Sequence, residues 1–176
     1  MAKSISQILR EIHLPFLLIG GHSLAFYGYP RNTLDIDFLV SEENTDEWFS
    51  QLRRLGYVKI HHQDPFAQFT ASGQIPIDLM IVSPATWEKL LGNSRDFPFE
   101  GLTLQIPAPE HLVALKLHSA TSPYRARVGQ DWEDIRQLVI LQNLDPKNPP
   151  FRDVILRYGN EACLHKIEGF CHDHRN

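Results

Sequence analysis

Two aspartates one residue apart, Asp35 and Asp37, close a stretch that opens with the glycine pair Gly20 and Gly21. On a strand, positions i and i+2 project from one face with Cα atoms about 6.5 Å apart. Carboxylates held that close repel unless a cation lies between them. Mg²⁺ suits the place, with Mn²⁺ as its substitute, because it takes carboxylate oxygens, keeps waters and binds substrate phosphates in its remaining positions. Asp78, in the later run IPIDLMIV, joins the pair if its strand lies beside theirs. Three carboxylates can then hold two ions about 3.5–4 Å apart, which stabilises attacking and leaving oxygens in phosphoryl transfer.

The glycine pair is the complementary half. It ends an apolar run and begins a helix, so unpaired N–H groups and the positive end of the helix dipole face outward. Without side chains there, a phosphate chain can approach the backbone. Ser23 offers a hydroxyl in the first turn, and Arg31 offers a planar fork to the same phosphates. Each element alone also has an ordinary reading: a Gly-Gly turn that is only a turn, and an Asp-Ile-Asp that is a solvated strand face. Their order and spacing together point to a metal–phosphate site.

The elements that must position these groups follow from periodicity and punctuation. Ser4 caps a first helix with Ile5, Ile8, Leu9 and Ile12 on one face, and Phe16 to Ile19 is a short buried strand. The glycines turn the chain into a helix from His22 to about Tyr27, which Gly28 and Pro30 end. Leu34 to Val40 and Ile75 to Val82 alternate as strands, the first with Asp35 and Asp37 on one face, the second with Asp78 and Met80. Between them lie a helix from Glu42 to Leu55 and strands at Tyr57 to Ile60 and Phe66 to Ala71, with a turn from His61 to Pro65. A short helix starts at Pro84, and Leu102 to Ile106 is one more strand. After Pro107 the chain turns helical: Pro109 to Ala120, Asp131 to Leu141, and one or two helices from Phe151 to Phe170. The expected fold is α/β (α+β). Residues 1–107 form a mixed β-sheet core with helices packed behind it, and residues 108–176 a C-terminal helical subdomain.

Composition bounds the function. With 43% hydrophobic and 22% charged residues the chain reads as an ordinary globule, and a net charge of −4 argues against a protein that holds nucleic acid through a large basic field. No apolar run approaches the roughly 20 residues that span a bilayer. The N-terminus reads as an amphipathic segment and not a signal peptide, so the expectation is a cytoplasmic protein without a membrane role. Two cysteines, Cys163 and Cys171, are too few for a disulfide scaffold.

The wording of the first stretch resembles the nucleotidyltransferase superfamily, the DNA polymerase β-like fold. That pattern is an apolar residue, Gly-Gly or Gly-Ser, a spacer, then Asp-apolar-Asp-apolar. Here Ile19, Gly20 and Gly21 precede a thirteen-residue spacer and then Asp35, Ile36, Asp37 and Phe38, with Asp78 matching the third carboxylate. GGHSLAFYGYPRNTLDIDF and PEHLVALKLHSA are similar to the small bacterial branch that includes AbiEii-like toxins. The resemblance implies Mg²⁺-dependent transfer of a nucleoside monophosphate from an NTP such as ATP to an acceptor hydroxyl. Asp35, Asp37 and Asp78 would be catalytic and metal-holding, and Gly20, Gly21, Ser23, Arg31 and Lys116 would bind the nucleotide's phosphates. Arg127, Asp131 and Asp134 match the branch's later nucleotide-flanking positions. The acceptor is an RNA or tRNA end, a protein, or a small molecule as in aminoglycoside or lincosamide nucleotidylation. An antitoxin is the implied partner of a toxin role. A non-catalytic nucleotide- or partner-binding module that kept the fold is the alternative of another class.

Several residues carry a plainer reading. Lys116 sits among apolar neighbours and reads equally as a snorkelling lysine or a partner of Asp134, and Asp131 as a helix cap. Arg125 and Arg127 occupy a loop. His22 reads as a solvated first-turn residue. The tail donors Cys163, His165, Cys171, His172 and His174 fit no zinc spacing.

Overall fold

A computed structural model of the chain describes residues 3–121 and 128–173. It divides into two units, one formed by Met1–Phe26 with Pro30–Pro107 and the other by Tyr27–Tyr29 with Ala108–Asn176.

The first unit is built on a five-stranded mixed sheet. Helix α1 (Ile5–Glu11) leads into β1 (Leu17–Ile19), α2 (Gly20–Phe26) and β2 (Ile36–Ser41). Helix α3 (Thr45–Arg54), a hairpin of β3 (Val58–Gln63) and β4 (Phe66–Thr70), and then β5 (Ile77–Val82) and α4 (Pro84–Gly92) follow. The strands lie in the order β1-β2-β5-β4-β3. Among the described residues only the β2–β5 pair is parallel, and α3 with the β3–β4 hairpin supplies the long crossover that a parallel pair requires.

Ser4 caps α1 as a reciprocal capping box with Gln7. One face of the sheet is covered. Ile36, Phe38, Val40, Ile77 and Leu79 are fully buried, and Trp48 of α3 stacks over Phe38 at 5.5 Å between ring centroids, with Phe16 at 4.8 Å from Phe38. The alternation that buries these side chains turns Asp37 and Asp78 to the opposite face. The sheet is thus mixed, with helices behind it, as expected for the fold.

Three expectations need correction. Strand β3 runs on through His61, His62 and Gln63, so the turn is confined to Asp64 and Pro65. All six β3 residues are exposed on an edge strand, which removes the burial pattern that marks a strand in sequence. Helix α2 begins at Gly20, two residues earlier than predicted. A strand absent from the sequence reading, β6 (Arg95–Phe99), pairs with β7 (Leu102–Ile106) as a separate hairpin. Asp96 and Pro98 are poor strand formers, and the two-residue turn at Glu100 and Gly101 has positive φ at both positions, the conformation a tight hairpin needs.

The second unit is helical: α5 (Pro109–Ala120), α6 (Val128–Leu141), α7 (Pro149–Tyr158) and α8 (Glu161–Asp173). Helix α5 packs on α6 and α7, and α8 on the same two. Val113, Leu117, Ile135, Leu138 and Ile155 fill the space between them. Tyr27 joins this unit through its carbonyl, which accepts a hydrogen bond from Gln142 Nε2 at 2.9 Å. No helix among the described residues is long and apolar enough to cross a membrane.

Candidate active site

The parallel register sets Asp37 directly opposite Asp78, and Asp35, in a bend one residue ahead of β2 and not on the strand as expected, brings its carboxylate to the same cluster. One ligand oxygen from each of the three carboxylates lies within 4.8 Å of the others, and all three residues are half-buried. The glycine pair meets this cluster directly. Gly20 has φ +66°, and a Cβ built on it would stand 1.8 Å from Asp37 Oδ2. Both backbone conformation and space therefore demand glycine there. At Gly21 a Cβ would fall 2.8 Å from Thr33 Cβ. The first consequence of the pair is this close packing of a turn against Asp37 and Thr33.

Each carboxylate is held by a neighbour. Thr33 Oγ1 donates to Asp35 Oδ1 at 2.7 Å, Gln68 Nε2 donates to Asp78 Oδ2 at 3.0 Å, and Asp37 packs on Gly20. The set suits a hard divalent cation: every donor is a carboxylate oxygen, and the oxygens converge from three backbone positions. Among the described residues it is the one such group of potential ligands.

The other predicted residues divide. Arg31 is partly exposed, donates from Nη1 to Asn32 O at 3.2 Å, and lies close enough to His22 for its charge to act on that ring. Ser23 is fully buried and its hydroxyl donates to Gly20 O at 2.8 Å, so the group expected to meet phosphate instead braces the glycine turn. His22 is not the solvated residue its position implied. It is half-buried, and its Nε2 is shielded from solvent with no hydrogen-bond partner. Burial pushes its pKa below the usual value, against the attraction of Asp35, and Arg31 lowers it further.

Lys116 belongs to the second unit. Its Nζ lies 2.8 Å from Asp134 Oδ2 and 3.2 Å from Asp131 Oδ1, and both aspartates are buried. Gln130 Nε2 donates to Asp134 Oδ1. Helix α6 starts at Val128, so Asp131 sits inside the first turn and binds the lysine where the sequence suggested a cap. Arg125, Arg127 and His174 lie outside the described residues. Because removing one member of a buried ion cluster leaves charge without its partner, Lys116→Met is expected to cost about 3 kcal/mol of stability. A lowered thermal midpoint would show it. An unchanged midpoint with weakened NTP binding would return the ammonium to phosphate duty.

A family model described as nucleotidyl transferase AbiEii toxin, type IV TA system, matches residues 7–168. The chain belongs to this family. It is therefore an AbiEii-family nucleotidyltransferase, and the site described above lies wholly within the matched residues. No curated protein matches it. Among solved structures, the solution structure of the antibiotic-resistance factor ANT(2'')-Ia is similar with TM-score 0.66 and 16% identity, covering 97% of this chain and 95% of that one. The lincomycin-bound lincosamide adenylyltransferase LnuA has TM-score 0.56 and 14% identity over 78% and 93% of the two chains. An antigenic nucleotidyltransferase-like protein from Paracoccidioides brasiliensis has TM-score 0.53 and 16% identity over 92% and 89%. At these identities the likeness is one of fold.

Two residues beside the carboxylate cluster escaped the sequence reading. Thr33 had a local signal, since it is a hydroxyl donor two positions before Asp35. Gln68 had none: the alternation in FAQFT gives its face, and only the pairing of β4 with β5 brings it to Asp78.

Proposed function

We propose that this AbiEii-family chain transfers a nucleoside monophosphate from an NTP to an acceptor hydroxyl, with Mg²⁺ or Mn²⁺ at its aspartates. The observation that carries the reading is the convergence of Asp35, Asp37 and Asp78 beside a glycine turn that tolerates no Cβ. Asp35 and Asp37 would hold one ion, and Asp37 with Asp78 a second. Bound there, the ions would supply Lewis-acid stabilisation of the charge that develops on the phosphoryl group and on the leaving oxygen.

The chain's own groups do the rest. The amides of Gly20 and Gly21 and the guanidinium of Arg31 hold the outer phosphates, and Ser23 keeps the glycine turn in shape by its bond to Gly20 O. Asp78 takes the proton from the acceptor hydroxyl as that oxygen bonds the α-phosphorus and the bond to pyrophosphate breaks.

The family's description as a toxin of a type IV TA system supports an antitoxin partner; in this reading the acceptor is an RNA or protein hydroxyl and the setting cytoplasmic. A cationic small molecule is the second reading, favoured by the mild acidity of the chain, −4. The test is incubation of the protein with each labelled NTP, Mg²⁺ and either total RNA, protein extract or an aminoglycoside. Label moved to one acceptor names the substrate. Tight NTP binding with no label moved in any arm would replace the enzyme by a nucleotide-binding module.

A further inference from the structure

The cross-strand row that carries the site does not stop at the aspartates. Asp37 of β2 faces Asp78 of β5, Asp78 faces Gln68 of β4, and Gln68 faces His61 of β3. Directly opposed residues in a sheet present their side chains on the same face, so Gln68 stands beside Asp78 on the side away from Asp37. Its Nε2 reaches Asp78 Oδ2 at 3.0 Å, and its own side chain is half-buried. An ionised carboxylate only accepts hydrogen bonds, so the amide must present its nitrogen there.

We propose that Gln68 is the positioning residue for Asp78: it pins Oδ2 on the β4 side and thereby turns the other carboxylate oxygen toward Asp37 and the shared cation. The inference rests on the metal-site reading given above. The chemistry of the amide fits the task. A lysine or arginine at this position would pair with Asp78 and oppose a cation, and a glutamate would add a fourth negative charge to the cluster. A neutral donor orients the carboxylate and leaves its charge for the metal. Asp35 has the equivalent bond from Thr33 Oγ1, but that donor is two residues away in sequence, whereas Gln68 reaches Asp78 only across strands. Gln68 thus ties the geometry of the third carboxylate to the pairing of the β4–β5 ladder.

The experiment compares wild type, Gln68→Met and Gln68→Asn by electron paramagnetic resonance titration with Mn²⁺ alone, by steady-state NTP turnover and by thermal melting. Methionine keeps length and loses the donor; asparagine keeps the amide and falls one methylene short of Asp78. Removing an outer hydrogen-bond partner of a metal ligand typically costs about 10–100-fold in metal affinity or activity. Both variants are expected to bind Mn²⁺ at least about 10-fold more weakly and to lose kcat in that range, with KM for NTP changed less than about threefold and the melting midpoint unmoved. Wild-type Mn²⁺ affinity and kcat in both variants would overturn the role of Gln68. A fall in the midpoint with unchanged Mn²⁺ affinity would do the same, by making the residue structural. Wild-type protein that binds no Mn²⁺ would instead overturn the underlying metal-site reading, and this inference with it.

Discussion

Asp37→Asn is expected to abolish metal-dependent nucleotidyl transfer, with kcat reduced by about 10³-fold or more. Asp37 faces Asp78 across the parallel register and its carboxylate meets that of Asp35. An amide there keeps the shape and removes one of three charges. Metal stabilisation of phosphoryl transfer is worth several kcal/mol, and about 1.4 kcal/mol is tenfold in rate, so losing a carboxylate that would hold the metal reaches that range. The fold itself should not suffer, because the substitution relieves repulsion among carboxylates held within 4.8 Å. The check is labelled-NTP transfer alongside a thermal melt. Transfer at wild-type rate by a folded Asp37→Asn protein would reject the catalytic assignment.

Gly20→Ala is the second large effect, and its cause is steric. At φ +66° an L-residue pays roughly 1–2 kcal/mol of backbone strain. The added methyl would also stand 1.8 Å from Asp37 Oδ2 and 2.4 Å from Cγ, so either the turn or the carboxylate must move. Displacement of a group by about 1 Å can cost on the order of 10²-fold in rate, and that loss is expected here together with a lower melting midpoint. Gly73→Ala is the control. Gly73 has the same φ of +66° but nothing within 4 Å of an added Cβ, so it reports the backbone strain alone. Equal losses of activity in the two variants would show that crowding against Asp37 is irrelevant.

The contrast between these two glycines shows how sequence and structure divide the information. The sequence shows glycine in both places, and a left-handed turn explains each. The close approach of Asp37 is invisible locally, because the strand that carries it follows a thirteen-residue spacer. Ser23 illustrates the same limit. A hydroxyl in the first turn of a helix can face a ligand or bond back to a backbone carbonyl; packing that leaves Ser23 with no exposed surface selected the second. Lys116 had two readings of comparable weight, and the packing of α5 against α6 brought Asp131 and Asp134 to its ammonium.

By itself the sequence determined which residues carry charge, which segments alternate with a period of two or recur near 3.6, and where glycine and proline end them. Those properties are local, since each depends on a residue and its near neighbours along the chain, and they were enough for the alternating strands, the helices between and after them, the aspartate pair and the boundaries of α5. Tertiary structure alone decided that β2 and β5 pair in parallel with Asp37 opposite Asp78, that Gln68 holds the third carboxylate, and that β6 exists at all. Register is chosen by the burial of whole faces and by long crossovers, and a shift of one residue would turn every side chain over. That choice is collective, so no single stretch of the chain records it.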